Sequence, residues 1–181
     1  MQGIDCPGFD FKCKEFQNCT FLKCDFSGCD LMGSKFIDCK FLDSNLSNVK
    51  VRNCGFQGVN FGNCKIIGID FARIKNLMLA WNFKDCLIEY CLFHGLEMKK
   101  TSFIDCQIKE AEFDGVNLME ADFSGTDLDC TKFINADLRK ADFRNAHNYF
   151  IDPTKNKIKD AKFKYPDALA LLGAFDIRIE Y

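Results

Sequence analysis

From Phe11 onward the chain places an apolar residue at every fifth position, through Phe16, Phe21, Phe26 and Leu31 as far as Phe71. After an irregular stretch at 72–82 the same period resumes two residues out of phase, from Phe83, Ile88 and Phe93 to Leu138 and Phe143. Each half holds thirteen consecutive apolar centres. A period of five matches neither the 3.6 of an amphipathic helix nor the alternation of a long half-buried strand, so both are excluded as the main element.

Two residues before each centre stands a small or modest side chain, such as Cys24, Ser34, Cys54, Ala111, Thr126 or Ala136. In extended backbone, i and i−2 point to the same side, so the large and the small residue are predicted to face inward together while i−1, i+1 and i+2 face water. Two residues after the centre, Gly, Asn or Asp predominates, as at Asn18, Gly28, Asp38, Gly68, Gly115 and Asn145. These are turn formers. One short strand and one corner per repeat predict a square coil of about twenty residues, stacked on the next at about 4.8 Å. Every fourth centre then shares a wall: Phe16, Phe36 and Phe56 form one ladder and Phe21, Phe41 and Phe61 another. In the second half Phe alternates with Ile, Met or Leu, which predicts phenylalanine ladders on two opposite walls and aliphatic ones on the other two.

The segments Ala121-Asp122-Phe123-Ser124-Gly125, Ala136-Asp137-Leu138-Arg139-Lys140 and Ala141-Asp142-Phe143-Arg144-Asn145 carry an A(D/N)LXX consensus. On these the chain resembles the pentapeptide-repeat family over nearly its whole length. The expected fold is all-β: a right-handed quadrilateral β-helix of about seven coils over 1–165, irregular at 72–82 and again in a last coil at 146–157. A short C-terminal α-helix and tail are expected at 166–181, with Pro166 near the helix start and Gly173 after its end. Within 72–82, Leu77, Leu79 and Trp81 are expected to tuck inward, because so apolar a stretch is poorly suited to water.

The closing order Asp152-Pro153, final coil, Leu171-Leu172-Gly173 and an alternating apolar tail resembles the end of the Qnr and MfpA quinolone-resistance proteins. That resemblance implies a two-fold homodimer through Leu169, Leu172, Phe175, Ile177, Ile179 and Tyr181, which would cover the open end of the coil stack. It also implies a protein that imitates double-stranded DNA, binds DNA gyrase or topoisomerase IV, and so protects these enzymes from quinolones.

Composition narrows the alternatives. With 48% hydrophobic and 28% charged residues the chain reads as soluble and globular. No basic stretch followed by an apolar one opens it, and no 18-residue apolar run occurs, so a cytoplasmic protein without membrane contact is expected. Nine of the twelve cysteines share the i−2 phase, which marks them as core residues rather than a disulfide framework. Their C-x4-C spacing fits no zinc pattern and His94 lies far from His147, so neither metal nor cofactor is expected. A thin rod has no cleft, and no nucleophile beside a histidine or Gly-rich phosphate loop occurs, which argues against an enzyme.

The net charge of −2 is modest, so the placement of the acids decides what they can do. Between Glu110 and Cys130 there are seven acids (Glu110, Glu112, Asp114, Glu120, Asp122, Asp127, Asp129) and no Lys or Arg; Asp137 and Asp142 follow. These nine are the candidate acidic docking face. Asp at i−1 also belongs to the repeat consensus whatever the function. A sequence pI near 5.7 argues against direct nucleic-acid binding. The competing class is a general protein-interaction scaffold, an effector or regulator with no topoisomerase partner.

Overall fold

A computed structural model gives the structure of residues 10–175, 177 and 178. The chain winds into a right-handed four-walled β-solenoid in which every strand pairing is parallel. Wall I carries Phe11, Leu31, Val51, Phe71, Phe93, Phe113, Phe133 and Ile151; wall II carries Phe16, Phe36, Phe56, Met98, Leu118, Leu138 and Ile158. Wall III carries phenylalanine throughout, at 21, 41, 61, 83, 103, 123, 143 and 163, and wall IV carries Phe26, Leu46, Ile66, Ile88, Ile108 and Leu128. From Phe21 to Phe163 the chain completes seven circuits.

Each strand is only three residues long, as at Glu15–Gln17, with its centre buried. The corner follows from backbone conformation. From Cys13 to Asn53 every residue two past a centre has positive φ, and the later repeats continue this with Asp85, Tyr90, Gly95, Lys100 and Glu110. Left-handed backbone costs a side chain-bearing residue about 1–2 kcal/mol. Lys23, Tyr90 and Glu120 nevertheless adopt it, at φ 54°, 54° and 62°. The parallel ladder imposes the corner on whatever residue falls there.

Inside, the rings on wall III stack face to face, with Phe21 and Phe41 centroids 4.8 Å apart at 15° and Phe83 and Phe103 4.9 Å apart at 1°. Across the shaft they meet edge to face, as Phe103 meets Phe113 at 6.1 Å and 85°. The i−2 positions supply donors as well as small volume. Thr126 Oγ1 donates to the Phe103 carbonyl at 2.6 Å, Thr131 Oγ1 to that of Ile108 at 2.8 Å, and Cys54 Sγ to that of Leu31 at 2.7 Å. Burial pushes the Cys54 and Cys91 thiols up to about 12, and none of the described cysteines forms a disulfide.

The phase shift is absorbed at the corner between walls II and III: Gly55 pairs with Lys75, twenty residues on, but Asn60 pairs with Asn82, twenty-two on. Wall II has no inward centre in that coil. The Trp81 indole fills the space, 1% exposed, standing edge-on to Phe56, Phe61 and Phe83. Its N–H donates to the Phe56 carbonyl at 2.8 Å. Asn76 replaces a missing backbone rung, its carboxamide donating to Gly95 O at 3.0 Å and accepting from the Glu97 N–H at 3.0 Å. Leu79 and Trp81 are inward as expected, but Leu77 is 57% exposed at the tip beside Met78, because the two extra residues must leave the wall for the next strand to regain register.

In the last coil Asn148 and Pro153 break the sequence period, and Tyr149 and Ile151 are buried in place of centres. Asn156 takes the i−2 place, donating to the Phe133 and Asp152 carbonyls and accepting from the Ala136 N–H at 2.9 Å. The closing helix, Asp167–Phe175, is 3₁₀ rather than the expected α-helix. None of its residues is buried, and so short a helix gains no packed face to hold the wider coil.

Candidate docking surfaces of the rod

The nine candidate acids are spread over all four walls. Asp127 and Asp129 lie on wall IV, Glu110 at the corner from IV to I, and Glu112 and Asp114 on wall I. Asp137 lies on wall II, Glu120 at the corner from II to III, and Asp122 and Asp142 on wall III. A contiguous run in sequence winds once around the shaft, so it cannot make one face.

Their partners differ by side. On walls II and III, Asp137 holds Arg139 at 2.6 Å, Asp142 holds Arg144 at 2.7 Å and Lys162 at 3.7 Å, and Glu120 lies 3.8 and 3.6 Å from Lys99 and Lys100. Hydrogen bonds from Arg139 and Arg144 lower the pKa of the Asp137 and Asp142 carboxyls. Asp122 accepts from the Ser124 N–H at 2.9 Å and hydroxyl at 2.6 Å, a local turn that the i−1 carboxylate builds in several repeats. On walls IV and I, Asp127 accepts from Asn148 at 2.8 Å, Glu110 from the Tyr90 hydroxyl at 3.0 Å, and Asp114 from Asn135 at 3.2 Å. Of these, Glu112 alone is bridged to a basic side chain, with Lys132 at 2.9 Å and His94 at 3.4 Å, and the Lys132 hydrogen bond lowers its pKa.

The register sorts every charge of the shaft. Each corner is grouped with the wall that follows it, over residues 10–164 without Lys155. Walls II and III then carry fifteen Lys and Arg against eight Asp and Glu, a formal +7. Walls IV and I carry seven against fourteen, a formal −7. The near-neutral chain is thus a rod polarised across its axis. Asp85, Glu89 and Asp105 belong to the acidic side with Asp127 and Asp129, and among the described residues none of the five has a basic side chain at ion-pair distance. The run-based reading missed the first three. A comparison at intervals of about twenty would have found them, since Asp85 and Asp105 are one coil apart.

At the C-terminal end Leu169 and Leu172 are half-buried, and Phe175 and Ile177 are exposed by 49% and 55%. Phe150, beside Gly173 of the closing helix, extends this apolar surface, and Tyr165, just before that helix, is also exposed. Ile179 and Tyr181 lie outside the described residues. No described group of three or more His, Cys, Asp or Glu is placed to hold a metal ion. No described helix is long and apolar enough to cross a membrane.

No curated protein sequence matches this chain. Among solved structures, two trypsin-treated variants of QnrB1, each described as a plasmid-mediated fluoroquinolone resistance protein, share the fold. One aligns with TM-score 0.68 and 21% identity over 99% of this chain and 95% of its own, the other with 0.67 and 20% over 99% and 98%. HetL, a pentapeptide repeat protein involved in heterocyst differentiation regulation from Nostoc sp. strain PCC 7120, aligns at TM-score 0.48 and 14% identity over 90% and 86%. The family model for a pentapeptide repeat region matches residues 14–93 and 74–143, the span whose five-residue period builds the four walls. The chain belongs to the pentapeptide-repeat family.

Proposed function

We propose that this rod binds a bacterial type II topoisomerase, DNA gyrase or topoisomerase IV, by presenting walls IV and I where the enzyme receives DNA. The observation that carries the reading is the acidic side of the shaft, on which ten of the fourteen carboxylates have no ion-pair partner among the described residues. Seven circuits at about 4.8 Å span about 34 Å, the length of about ten base pairs. A two-fold dimer through Leu169, Leu172, Phe175, Ile177, Ile179 and Tyr181 would double that length and cover the exposed apolar end. The likeness to QnrB1 supports this choice of partner, because that protein confers fluoroquinolone resistance. The protein acts by binding, and cells carrying it gain protection from fluoroquinolones or altered topoisomerase activity.

A DNA supercoiling assay tests the reading. Excess protein is expected to inhibit gyrase, and lower doses to restore supercoiling in the presence of ciprofloxacin. Reversing Glu110, Asp127 and Asp129 to Lys should weaken enzyme binding at least tenfold at low salt, while Asp122→Lys with Asp142→Lys should change it less than threefold. Absence of inhibition and rescue by a dimeric protein would replace this function with that of an interaction scaffold for another partner.

A further inference from the structure

A pI near 5.7 argues against nucleic-acid binding only if the charges are mixed, and on this rod they are sorted. Walls II and III form a continuous cationic strip along the shaft. Lys75, Lys84, Lys140, Lys157, Lys159 and Lys164 are all exposed there, and among the described residues no carboxylate holds any of them in an ion pair. Of the eight acids of the same strip, Glu15, Glu120, Asp137 and Asp142 are held in ion pairs by Lys35, Lys99 with Lys100, Arg139 and Arg144, which leaves Asp38, Glu97, Asp122 and Asp160 against the free lysines. Bases left free on the successive rungs of a parallel ladder suit a regularly charged polyanion.

We propose that walls II and III bind the phosphate backbone of a duplex nucleic acid without reading its sequence. Opposite walls stand about 10 Å apart at the backbone, and charged side chains reach about 5 Å further on each side. Asp70 and Asp85 lie at the strip's two margins, beside Arg73 and Lys84, but the acids on the wall directly opposite, such as Asp127 and Asp129 across from wall II, are about 20 Å from a duplex lying on the strip, beyond the Debye length of about 8 Å at physiological salt. The strands are three-residue rungs and the corners are tight, and the one projecting element of the strip among the described residues, the bulge at the corner between walls II and III, exposes Leu77 and Met78, which have no hydrogen-bonding group to read a base edge. Of the exposed aromatic residues, Tyr90 and Phe150 lie on the other side and Tyr165 stands alone beside Lys164 at the end of the strip, so among the described residues the strip offers no row of rings on which successive single-stranded bases would stack. This leaves lysine-to-phosphate contacts as the recognition chemistry. The site is independent of the topoisomerase reading, since it uses the opposite side of the rod.

The test is fluorescence anisotropy with a labelled duplex DNA of about 20 base pairs, in arbitrary and shuffled sequence, against the full chain. About five phosphate contacts predict an affinity that falls about 500-fold between 50 and 200 mM salt and is indifferent to sequence. Duplex RNA presents the same backbone charge and should bind within about threefold of DNA. The triple variant Lys140→Glu, Lys159→Glu and Lys164→Glu should lose at least tenfold in affinity at 50 mM salt. Lys23→Glu, Lys65→Glu and Lys109→Glu, on wall IV, change the net charge equally and should lose less than threefold. Circular dichroism checks that both triple variants retain the fold. Equal loss in the two variants, tighter binding of a single strand than of a duplex, or no duplex binding at 50 mM salt would overturn the assignment.

Discussion

Truncating the single tryptophan probes the least regular part of the shaft. Trp81 is 1% exposed and fills the core where wall II contributes no centre, so Trp81→Ala opens a cavity that the rigid ladders on either side cannot close. Loss of a buried Trp side chain costs about 3–5 kcal/mol. The Phe56 carbonyl, which accepts the indole N–H at 2.8 Å, would also be left unpaired, adding about 1–3 kcal/mol. The expected loss is thus about 4–8 kcal/mol, a large part of the about 5–15 kcal/mol available to a domain. Trp81→Phe keeps most of the ring and removes the donor, so it should cost about 1–3 kcal/mol. Urea unfolding followed by far-UV circular dichroism measures both. A loss below about 1.5 kcal/mol for Trp81→Ala, or equal losses for the two variants, would refute the role given to the indole as filler and donor.

Two glycines test the corner geometry. Gly28→Ala meets open space and should cost only the left-handed backbone penalty, about 1–2 kcal/mol, whereas at Gly125 the new Cβ would run into the Asp105 carboxylate one coil below and the cost should be clearly larger. Equal costs in a thermal melt would contradict the stacked-corner register. Acid should weaken the C-terminal coils. Asp137 and Asp142 have folded pKa values held below 3.8 by their arginines, so their contribution is full above about pH 5 and disappears as pH falls through and below 3.8. The urea midpoint should stay level between about pH 5 and 7 and fall below about pH 4, less steeply in Asp137→Asn with Asp142→Asn. An identical acid response in that variant would show that these two pairs carry none of it.

Most of the architecture was legible in the chain. The spacing of Phe16, Phe36 and Phe56 is a wall, the cysteines two before a centre are core, and Gly28 or Asn48 two after it is a corner, because each choice depends only on local backbone alternation and on how many residues one side of the square needs. The exceptions are where one residue does the work of another. Asn76 stands in for a backbone rung, Trp81 for a missing wall II centre and Asn156 for a small i−2 residue; nothing in their own five-residue windows distinguishes them, since the vacancy each fills belongs to a neighbouring coil. Leu77 was misread for the same reason.

The candidate site divides along the same line. Sequence alone determined that the acids would be outward, because i−1, i+1 and i+2 of an extended rung cannot face a filled core. Only the tertiary structure decided which of them act together. Neighbours on a wall are eighteen to twenty-two residues apart, and Glu110 through Asp129 make a ring around the shaft rather than a patch on it. Closing each coil on the one below divided a shaft of no net formal charge into two opposed sides of −7 and +7, a property of the winding that the order of residues along the chain does not display.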